Sequence, residues 1–286
     1  GSGGEGTGMI RRVLGLGDPA KPAVRRAVAR TLPALRRHLG RISVQLDGGR
    51  ARRPGEADLA VVFGGDGAML RAARYLAPAD IPMIGVNLGK LGFLTEVDQR
   101  EVAAMARRLA AGRAAQVQAL MLACALIRRG RVIFRGLALN DAVLGGGGIS
   151  RLKSFALRVD GQAVATYPAD GLIVATPSGS TAHSLSAGGP VLAPGVSAFA
   201  ITPISPHTLS HRPLVVGALS RLDIRVSQCE HPITLTLDGQ QVRRMREGDA
   251  VVITRSPHPC RFLLLRRRAY FSVLRRKLHW DRNPRR

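Results

Sequence analysis

A glycine-rich turn with a carboxylate in its middle is the part of this chain best suited to chemistry. Residues 64–67, Gly-Gly-Asp-Gly, join an apolar run, Leu59–Phe63, to a helix-like stretch, Ala68–Tyr75. A strand, a glycine turn and a helix N-terminus let the backbone approach a phosphate group closely. Phosphate would repel an aspartate at this point, so we expect Asp66 to take a proton from a hydroxyl group or to hold Mg²⁺. A tight turn with Asp66 as an ordinary helix cap is the structural alternative.

A second polar segment covers residues 168–190. A short apolar run, Leu172–Ala175, leads into a turn rich in hydroxyl groups and glycine, and small residues follow the turn. Because serine and threonine hydroxyls both donate and accept, such a turn suits the edges of a base and a ribose. Taken alone, the segment is more typical of a helix N-cap and a turn.

Strands and helices alternate over the first part of the chain. Apolar runs predict strands over Ile10–Leu16 and Ile81–Asn87, and the helical spacing of apolar residues predicts helices over Ala20–Leu39 and Gln99–Ala111. The alternation predicts a parallel, doubly wound, Rossmann-like α/β domain over residues 9–115.

The pattern changes after that domain. From 116 to 264, short runs of β-formers are separated by Gly, Pro, Asp and His, which predicts an all-β, sandwich-like second domain. The longest apolar run, Ala119–Ile127, predicts a buried strand, and Gly145–Gly148 predicts a hairpin loop. Helical spacing returns in Tyr270–Trp280, and we expect this helix, within residues 265–286, to pack on the first domain.

The composition is strongly basic. The 43 lysines and arginines against 19 acidic residues give a net charge of +24, and lysine supplies only four of the 43, at positions 21, 90, 153 and 277. The arginines are spread along the chain, which favours solvated charge and a general attraction for anions over a nucleic-acid site. Only 4% of the residues are aromatic, so surfaces for stacking single-stranded bases are not expected.

Nothing in the sequence indicates a membrane or an exported protein. No apolar run reaches the ~20 residues that a membrane span needs, and the glycine-rich start lacks the charged and apolar regions of a signal peptide. We therefore expect a cytoplasmic location and no membrane partner. The three cysteines, Cys124, Cys229 and Cys260, lack metal-ligand spacing and are expected to be reduced and structural.

Several motifs, in order along the chain, resemble those of the NAD kinase family. They are residues 64–67, Gly-Val-Asn-Leu-Gly-Lys-Leu-Gly-Phe at 85–93, Leu-Asn-Asp-Ala-Val at 139–143, the segment 170–190 and Leu-Asp-Gly-Gln at 237–240. The resemblance implies transfer of the γ-phosphoryl group of ATP, or of polyphosphate in some members, to the 2′-hydroxyl of the adenosine ribose of NAD, which gives NADP. It also implies two domains with the NAD site between them, Mg²⁺ carried by the phosphoryl donor, and assembly into homodimers or homotetramers.

The resemblance also implies roles for individual residues. Asp66 would accept or orient the proton of the 2′-hydroxyl, as a positioned base that is ionised at pH 7. The glycines of the turn would hold the phosphoryl donor: Gly64, Gly65 and Gly67. The binding residues implied for the nucleotides are Phe93, Asn140, Asp141, Asp170, Ser178, Thr181, Ala182, His183, Ser186 and Gln240. No protein ligands for a metal are assigned.

Two of these positions depart from the family pattern. Asp141 replaces the usual glutamate, so its reach is one methylene shorter and its direct contact is less secure than that of Asn140. His183 stands where tyrosine is common, although a flat imidazole can still stack or form hydrogen bonds. The structural alternatives are packing in the core for Phe93, a turn at a strand end for the Asn140–Asp141 pair, and a surface or packing role for His183.

Other functions share parts of this pattern. The Gly-Gly-Asp-Gly turn alone is shared with lipid kinases of the diacylglycerol kinase type and resembles the phosphofructokinase turn, so a lipid or sugar kinase is one alternative. A non-catalytic NAD(H)-binding regulator is another, although an intact Asp66 argues against it. A Rossmann dehydrogenase would need Gly-x-Gly-x-x-Gly with an acid ~20 residues further on, and that pattern is missing at 64–67.

Overall fold

A computed structural model describes most of the chain, in two compact units. One unit comprises Gly1–Gln118 with Arg261–Arg286, and the other comprises Ala119–Cys260. The described residues are 10–46, 54, 56–89, 92–146, 153–208, 210–229, 233–265 and 270–280. No helix in this described part is long and apolar enough to cross a bilayer.

The described residues form eighteen strands and five α-helices. The strands are β1 (Arg12–Gly17), β2 (Arg41–Gln45), β3 (Leu59–Phe63), β4 (Met83–Asn87), β5 (Val97–Asp98), β6 (Ala115–Ala119), β7 (Leu122–Arg128), β8 (Arg131–Ala138), β9 (Asp141–Gly145), β10 (Lys153–Val159), β11 (Gln162–Ala175), β12 (Ala198–Pro206), β13 (Leu214–Gly217), β14 (Leu222–Cys229), β15 (Ile233–Leu237), β16 (Gln241–Met245), β17 (Ala250–Arg255) and β18 (Cys260–Leu264). The helices are α1 (Pro22–Leu39), α2 (Asp66–Leu76), α3 (Val102–Ala110), α4 (His183–Ser186) and α5 (Tyr270–Leu278).

The first unit is built on a parallel sheet. Its strands run in the order β2-β1-β3-β4-β18-β6, and β5 pairs with β4. Every residue of β3 and β4 is buried, as expected for central parallel strands that are covered on both faces. One core cluster joins these strands to α1 and α3, through residues such as Leu35, Phe63 and Met105.

The helices of the first unit start and end where their sequences allow it. Helix α1 has proline at its first position and is followed by Gly40, whose positive φ of 77° suits glycine. It buries Val24, Val28, Leu35 and Leu39 along one face. A capping box between Asp98 and Glu101 begins the 3₁₀ turn that leads into α3.

The second unit is an antiparallel sheet that surrounds its own core. The strand order is β16-β15-β9-β11-β10-β14-β17-β7-β8, with β12 beside β11 and β13 beside β12. Strand β11 is long enough to change partners: its first half pairs with β10, and its second half pairs with β9 and β12. The core includes Phe155, Phe199 and Leu235, each 0% exposed. The fold is therefore α/β followed by all-β, which confirms the predicted fold class.

One prediction of local structure needs correction. The single buried strand over Ala119–Ile127 is wrong, because β6 ends at Ala119, β7 begins at Leu122, and burial alternates along β7. The helix after the hydroxyl-rich turn has only four residues, because Gly188 and Gly189 follow it closely. The predicted loop at Gly145–Gly148 lies partly outside the described residues.

The two cysteines whose side chains are described are free and buried. Burial, followed by the charge of Asp238, raises the pKa of both the Cys124 and the Cys260 thiol. A thiol with a raised pKa is a poor nucleophile and a poor metal ligand. These two cysteines are therefore structural.

Candidate functional site

The glycine turn lies at the end of a central strand of the parallel sheet. Gly64 follows β3 with φ of 153°, and a Cβ at that position would lie 2.7 Å from the Cβ of Ala68. Gly65 is the N-cap of α2, and its carbonyl accepts hydrogen bonds from the N–H groups of Ala68 and Met69. Asp66 is therefore the first residue of the helix, where the helix dipole favours negative charge.

Two backbone N–H groups hold the Asp66 carboxylate. Phe93 N donates to Oδ2 at 2.8 Å, and Leu94 N donates to Oδ1 at 3.0 Å. A Cβ on Gly92 would lie 1.9 Å from Asp66 Oδ1. The carboxylate thus packs against a backbone that only glycine permits. Two of the roughly four lone-pair positions of a carboxylate are used, which leaves positions for a proton or a substrate hydroxyl.

Phe93 is neither a fully buried core residue nor an exposed one. It is partly buried, and the Lys277 ammonium lies 4.2 Å from the centroid of its ring. The Asp66 contact uses the backbone of Phe93, so the ring itself is not held by that bond. The alternative of a core phenylalanine is therefore not supported by its exposure.

In the second unit, the Asn140–Asp141 pair is held from two sides. Asp238 accepts N–H bonds from Leu139 at 3.1 Å, Asn140 at 2.7 Å and Asp141 at 3.3 Å. On the other side, Thr176 Oγ1 donates to the carbonyl of Leu139 at 2.6 Å, and Thr176 N donates to the carbonyl of Asn140 at 2.9 Å. The backbone of the pair is therefore fixed before any ligand arrives.

A glycine also fits against this pair. A Cβ on Gly179 would lie 2.0 Å from the carbonyl oxygen of Asn140, so the hydroxyl-rich turn approaches the pair backbone to backbone. Asn140 Oδ1 is buried and has no hydrogen-bond partner among the described residues. An unpaired buried amide oxygen is costly, and a donor on a ligand would satisfy it.

Asp141 carries an unusual carboxyl group. The residue is 5% exposed, and no donor among the described residues bonds its carboxyl oxygens. Burial, followed by the charge of Asp238, raises the pKa of Asp141 to about 7. Near neutral pH the group is therefore divided between a proton donor and an acceptor.

A cavity of about 660 Å³ lies beside this pair in the second unit. Five residues predicted from the sequence line it together: Asn140, Asp141, Asp170, Ala182 and His183. Asp238 and Gly239, from the Leu-Asp-Gly-Gln motif, line it too. With three aspartates in its wall, the cavity is acidic in a protein whose net charge is +24.

The remaining predicted binding residues of this unit lie outside that lining, within the described part of the chain. Thr181 Oγ1 donates to the carbonyl of Ser178 at 3.2 Å, which closes the 3₁₀ turn, and Gln240 lies in the turn between β15 and β16. Ser186 is exposed at the end of α4. Ligand contacts by these residues stay predictions.

Sequence reasoning missed several residues that shape the two sites. Thr234 and Thr236 line the cavity, and their signal was the alternation of β15, whose isoleucine and leucines face the core. Gly92 and Thr176 act through tertiary contacts, which a local sequence pattern does not predict. His207 also lies beside a predicted site residue, because its Nε2 is 3.9 Å from Asp170 Oδ1.

Comparisons with family models agree with this architecture. Together they define the chain as a two-domain protein of the ATP-NAD kinase type. The family model for the ATP-NAD kinase N-terminal domain matches residues 25–114, and the model for the ATP-NAD kinase C-terminal domain matches residues 139–265. The glycine turn lies in the first match, and the residues of the acidic cavity lie in the second.

Individual relatives point the same way. An NAD kinase of Koribacter versatilis is 48% identical over 223 residues, which cover 78% of each chain, and one of Geobacter metallireducens is 42% identical over 244 residues, 85% of each chain. An NAD kinase from Archaeoglobus fulgidus, crystallised with ATP, superposes with a TM-score of 0.72 at 26% identity over 94% of this chain and 98% of its own. A yeast NADH kinase with NADH shares the fold, with a TM-score of 0.86 at 23% identity over 97% and 90%. The chain belongs to the NAD kinase family.

Proposed function

We propose that this chain transfers the γ-phosphoryl group of ATP to the 2′-hydroxyl of the adenosine ribose of NAD, giving NADP and ADP. The observation that carries the proposal is the Asp66 carboxylate, oriented by two N–H groups at the glycine turn. Membership of the NAD kinase family supports the choice of acceptor and donor. Inorganic polyphosphate is a further donor to test, and NADH is a further acceptor.

Phosphoryl transfer depends mainly on positioning and on stabilising charge. The 2′-oxygen attacks the γ-phosphorus, and the bond from that phosphorus to the β–γ bridging oxygen breaks, so that ADP leaves. The hydroxyl proton passes to a free lone pair of Asp66. The two N–H donors hold the carboxylate at one angle, so it does not have to reorganise during the reaction.

The glycine turn is the candidate site for the donor phosphates. Gly64, Gly65 and Gly67 have no Cβ to block the approach of phosphate oxygens, and α2 presents its N-terminus there. The phosphoryl donor would carry Mg²⁺ into the site. Phosphate oxygens and water would supply most of its ligands, as is usual for Mg²⁺, and a free Asp66 lone pair fits such an ion.

The acidic cavity is the candidate site for the dinucleotide. The buried Asn140 Oδ1 would accept from an amine or a hydroxyl of the ligand, and Asp141 would donate or accept according to pH. Asp170 would attract a cationic ring, and Ala182 and His183 would lie against a flat one. Ser178, Thr181, Ser186, Gln240 and Phe93 complete the proposed set.

The deciding assay combines the purified protein, ATP, Mg²⁺ and NAD, and detects NADP with a coupled NADP-specific dehydrogenase. We expect Asp66→Asn to lower kcat by about 10²- to 10⁴-fold, because a positioned base contributes about that much. NAD affinity, measured by calorimetry, should stay within about threefold because the cavity is untouched.

Asp80→Asn is the matched control, since Asp80 is an exposed aspartate of the same unit paired with Arg261 at 2.9 Å. Near-normal turnover in Asp66→Asn would remove Asp66 from the reaction. Phosphorylation of a lipid or a sugar in place of NAD would favour the rival kinases, and NAD binding without turnover would favour a regulator.

Cytoplasmic location and assembly into a homodimer or homotetramer belong to the same proposal, and the assembly is supported by the family resemblance alone. Light scattering coupled to size-exclusion chromatography tests the assembly directly. A monomer at the concentration of the activity assay would contradict that part of the proposal and would leave the chemistry unaffected.

A further inference from the structure

The last turn of helix α5 contacts the loop that holds Asp66. Val273 and Leu274 are buried and anchor the helix within the first unit, whereas Lys277 is exposed. The Lys277 ammonium lies 4.2 Å from the centroid of the Phe93 ring. A residue close to the C-terminus therefore lies against the segment 92–94.

The segment 92–94 contacts both the Lys277 ammonium and the Asp66 carboxylate. The N–H groups of Phe93 and Leu94 both donate to Asp66, so the backbone under the ring has a fixed place relative to the glycine turn. The ammonium lies over the ring of one of the two residues that hold Asp66. A positive charge is thus kept close to the place where the reacting phosphoryl group is proposed to bind.

The contact leaves the ammonium free to bind an anion. A cation over an aromatic ring uses none of the three N–H donors of lysine, and at an exposed position the attraction is weak. Among the described residues, no carboxylate forms an ion pair with Lys277. Phosphate oxygens would offer the donors the charge-assisted hydrogen bonds that the ring cannot.

The glycine turn carries no basic side chain of its own. Residues 64–70 contain no lysine or arginine. Of the other lysines described, Lys21 precedes α1, and Lys153 is buried in the second unit, where it donates to the carbonyl of Gly146. Phosphoryl transfer requires charge stabilisation along the phosphate chain of the donor.

We propose that Lys277 binds the polyphosphate chain of the phosphoryl donor, leaving the Phe93 ring to do so. The proposal rests on the function proposed above, and it adds a donor-binding residue from the C-terminal helix. ATP and inorganic polyphosphate present the same chemistry to this lysine, so both are tested.

The experiment compares Lys277→Met with Arg276→Met, which removes the same charge from the neighbouring exposed position of α5. We expect Lys277→Met to raise KM for ATP by about 10- to 100-fold, the range for losing a charged hydrogen bond. KM for NAD should stay within about twofold. Arg276→Met should change neither constant by more than about twofold, and Lys277→Arg should recover part of the affinity for ATP.

A binding measurement without turnover separates this proposal from the proposed function. Calorimetry with ATP and with inorganic tripolyphosphate should show the same weakening in Lys277→Met. If the wild type binds ATP through Lys277 but does not phosphorylate NAD, the acceptor is wrong and the lysine assignment stands. A weakening confined to tripolyphosphate or to ATP identifies which source the lysine serves.

Two results would overturn the assignment. Unchanged affinity for both ATP and tripolyphosphate in Lys277→Met would show that the lysine does not touch the donor. Equal weakening in Lys277→Met and Arg276→Met would show a general effect of surface charge. Thermal unfolding of each variant guards against misfolding, which is not expected for an exposed side chain.

Discussion

The raised pKa of Asp141 makes a prediction about stability that needs no substrate. Replacing this buried carboxyl by an amide, Asp141→Asn, keeps the shape of the side chain and removes its ionisation. Burial comes first among the causes of the raised pKa and the charge of Asp238 second. We therefore expect the variant to be more stable than the wild type above neutral pH.

The size of the effect follows from the two pKa values. The group ionises near its ordinary value of 3.8 in the unfolded chain and near about 7 in the folded protein. Three pKa units correspond to about 4 kcal/mol at 1.36 kcal/mol for each. Well below pH 3.8 both states are protonated and nothing is lost. As pH rises from about 4 to about 7, the folded state retains the proton, so the wild type loses stability relative to the variant by up to that amount.

The assay is urea unfolding followed by far-UV circular dichroism at pH 5, 6, 7 and 8. The quantity of interest is the difference in unfolding free energy between variant and wild type, since the pH response of the other ionisable groups largely cancels in it. That difference should grow from pH 5 to pH 7 and then level off.

Asp223→Asn is the control, because it removes a carboxylate from the same unit at a surface ion pair with Arg221. Parallel loss of stability in Asp141→Asn and the wild type between pH 5 and 8 would refute the reasoning. It would mean that the Asp141 carboxyl ionises in the fold much as it does in water.

Two further predictions concern tertiary contacts. Gly92→Ala should lower kcat at least as far as Asp66→Asn does. The new Cβ would lie 1.9 Å from Asp66 Oδ1 and must displace the carboxylate. The coupled NADP assay measures the loss of turnover. Arg128→Met should destabilise the second unit more than removal of an unpaired surface charge, since Asp249, whose side chain is 2% exposed, would lose its bidentate partner at 2.9 and 2.8 Å. Urea unfolding at pH 7 measures this difference.

The chain offers a matched control for each variant. A Cβ on Gly89 would meet nothing within 4 Å, so Gly89→Ala should keep near-normal turnover. Arg131 is an exposed arginine directly opposite Arg128 in the β7–β8 pair, so Arg131→Met should cost little. Full activity in Gly92→Ala, or equal stability of the two arginine variants, would contradict the respective argument.

Elements with a strong period were predictable from the sequence. The predictions for β1, α1 and β4 agree with the structure to within two residues at each end. Central parallel strands are buried on both faces and so appear as continuous apolar runs, and helices that cover them show one apolar face. The apolar burial that stabilises these elements therefore also produces the sequence patterns from which they were predicted.

Elements at an edge or at a change of partner gave no such signal. Strand β2 has no buried residue, so no apolar run marks it. The first half of β11 is mostly exposed and contains Pro168, which weakens a strand prediction. Only the last four residues of the strand, Leu172–Ala175, lie in the predicted apolar run. Pairing with β10 holds that half in place, and pairing is a tertiary property.

For the site, the motifs identified residue types but not their partners. Asp66 and the N–H groups that hold it are 27 and 28 residues apart in the chain, and Asp238 is 97 to 99 residues from the N–H groups that it accepts. No local pattern links residues at such separations. What the structure adds is therefore the orientation of each carboxylate, on which the chemistry depends.

Asp238 shows why this orientation and the electrostatics of the cavity cannot be separated. Its carboxylate accepts three N–H groups and so fixes the backbone of Asn140 and Asp141. The same negative charge, in a buried setting, contributes to the raised pKa of Asp141. A neutral residue at 238 would relieve the repulsion but would leave three buried N–H groups with weaker acceptors. A cavity organised by a buried carboxylate therefore makes a neighbouring buried carboxyl harder to ionise, and a ligand that brings a cation or a donor removes part of that cost.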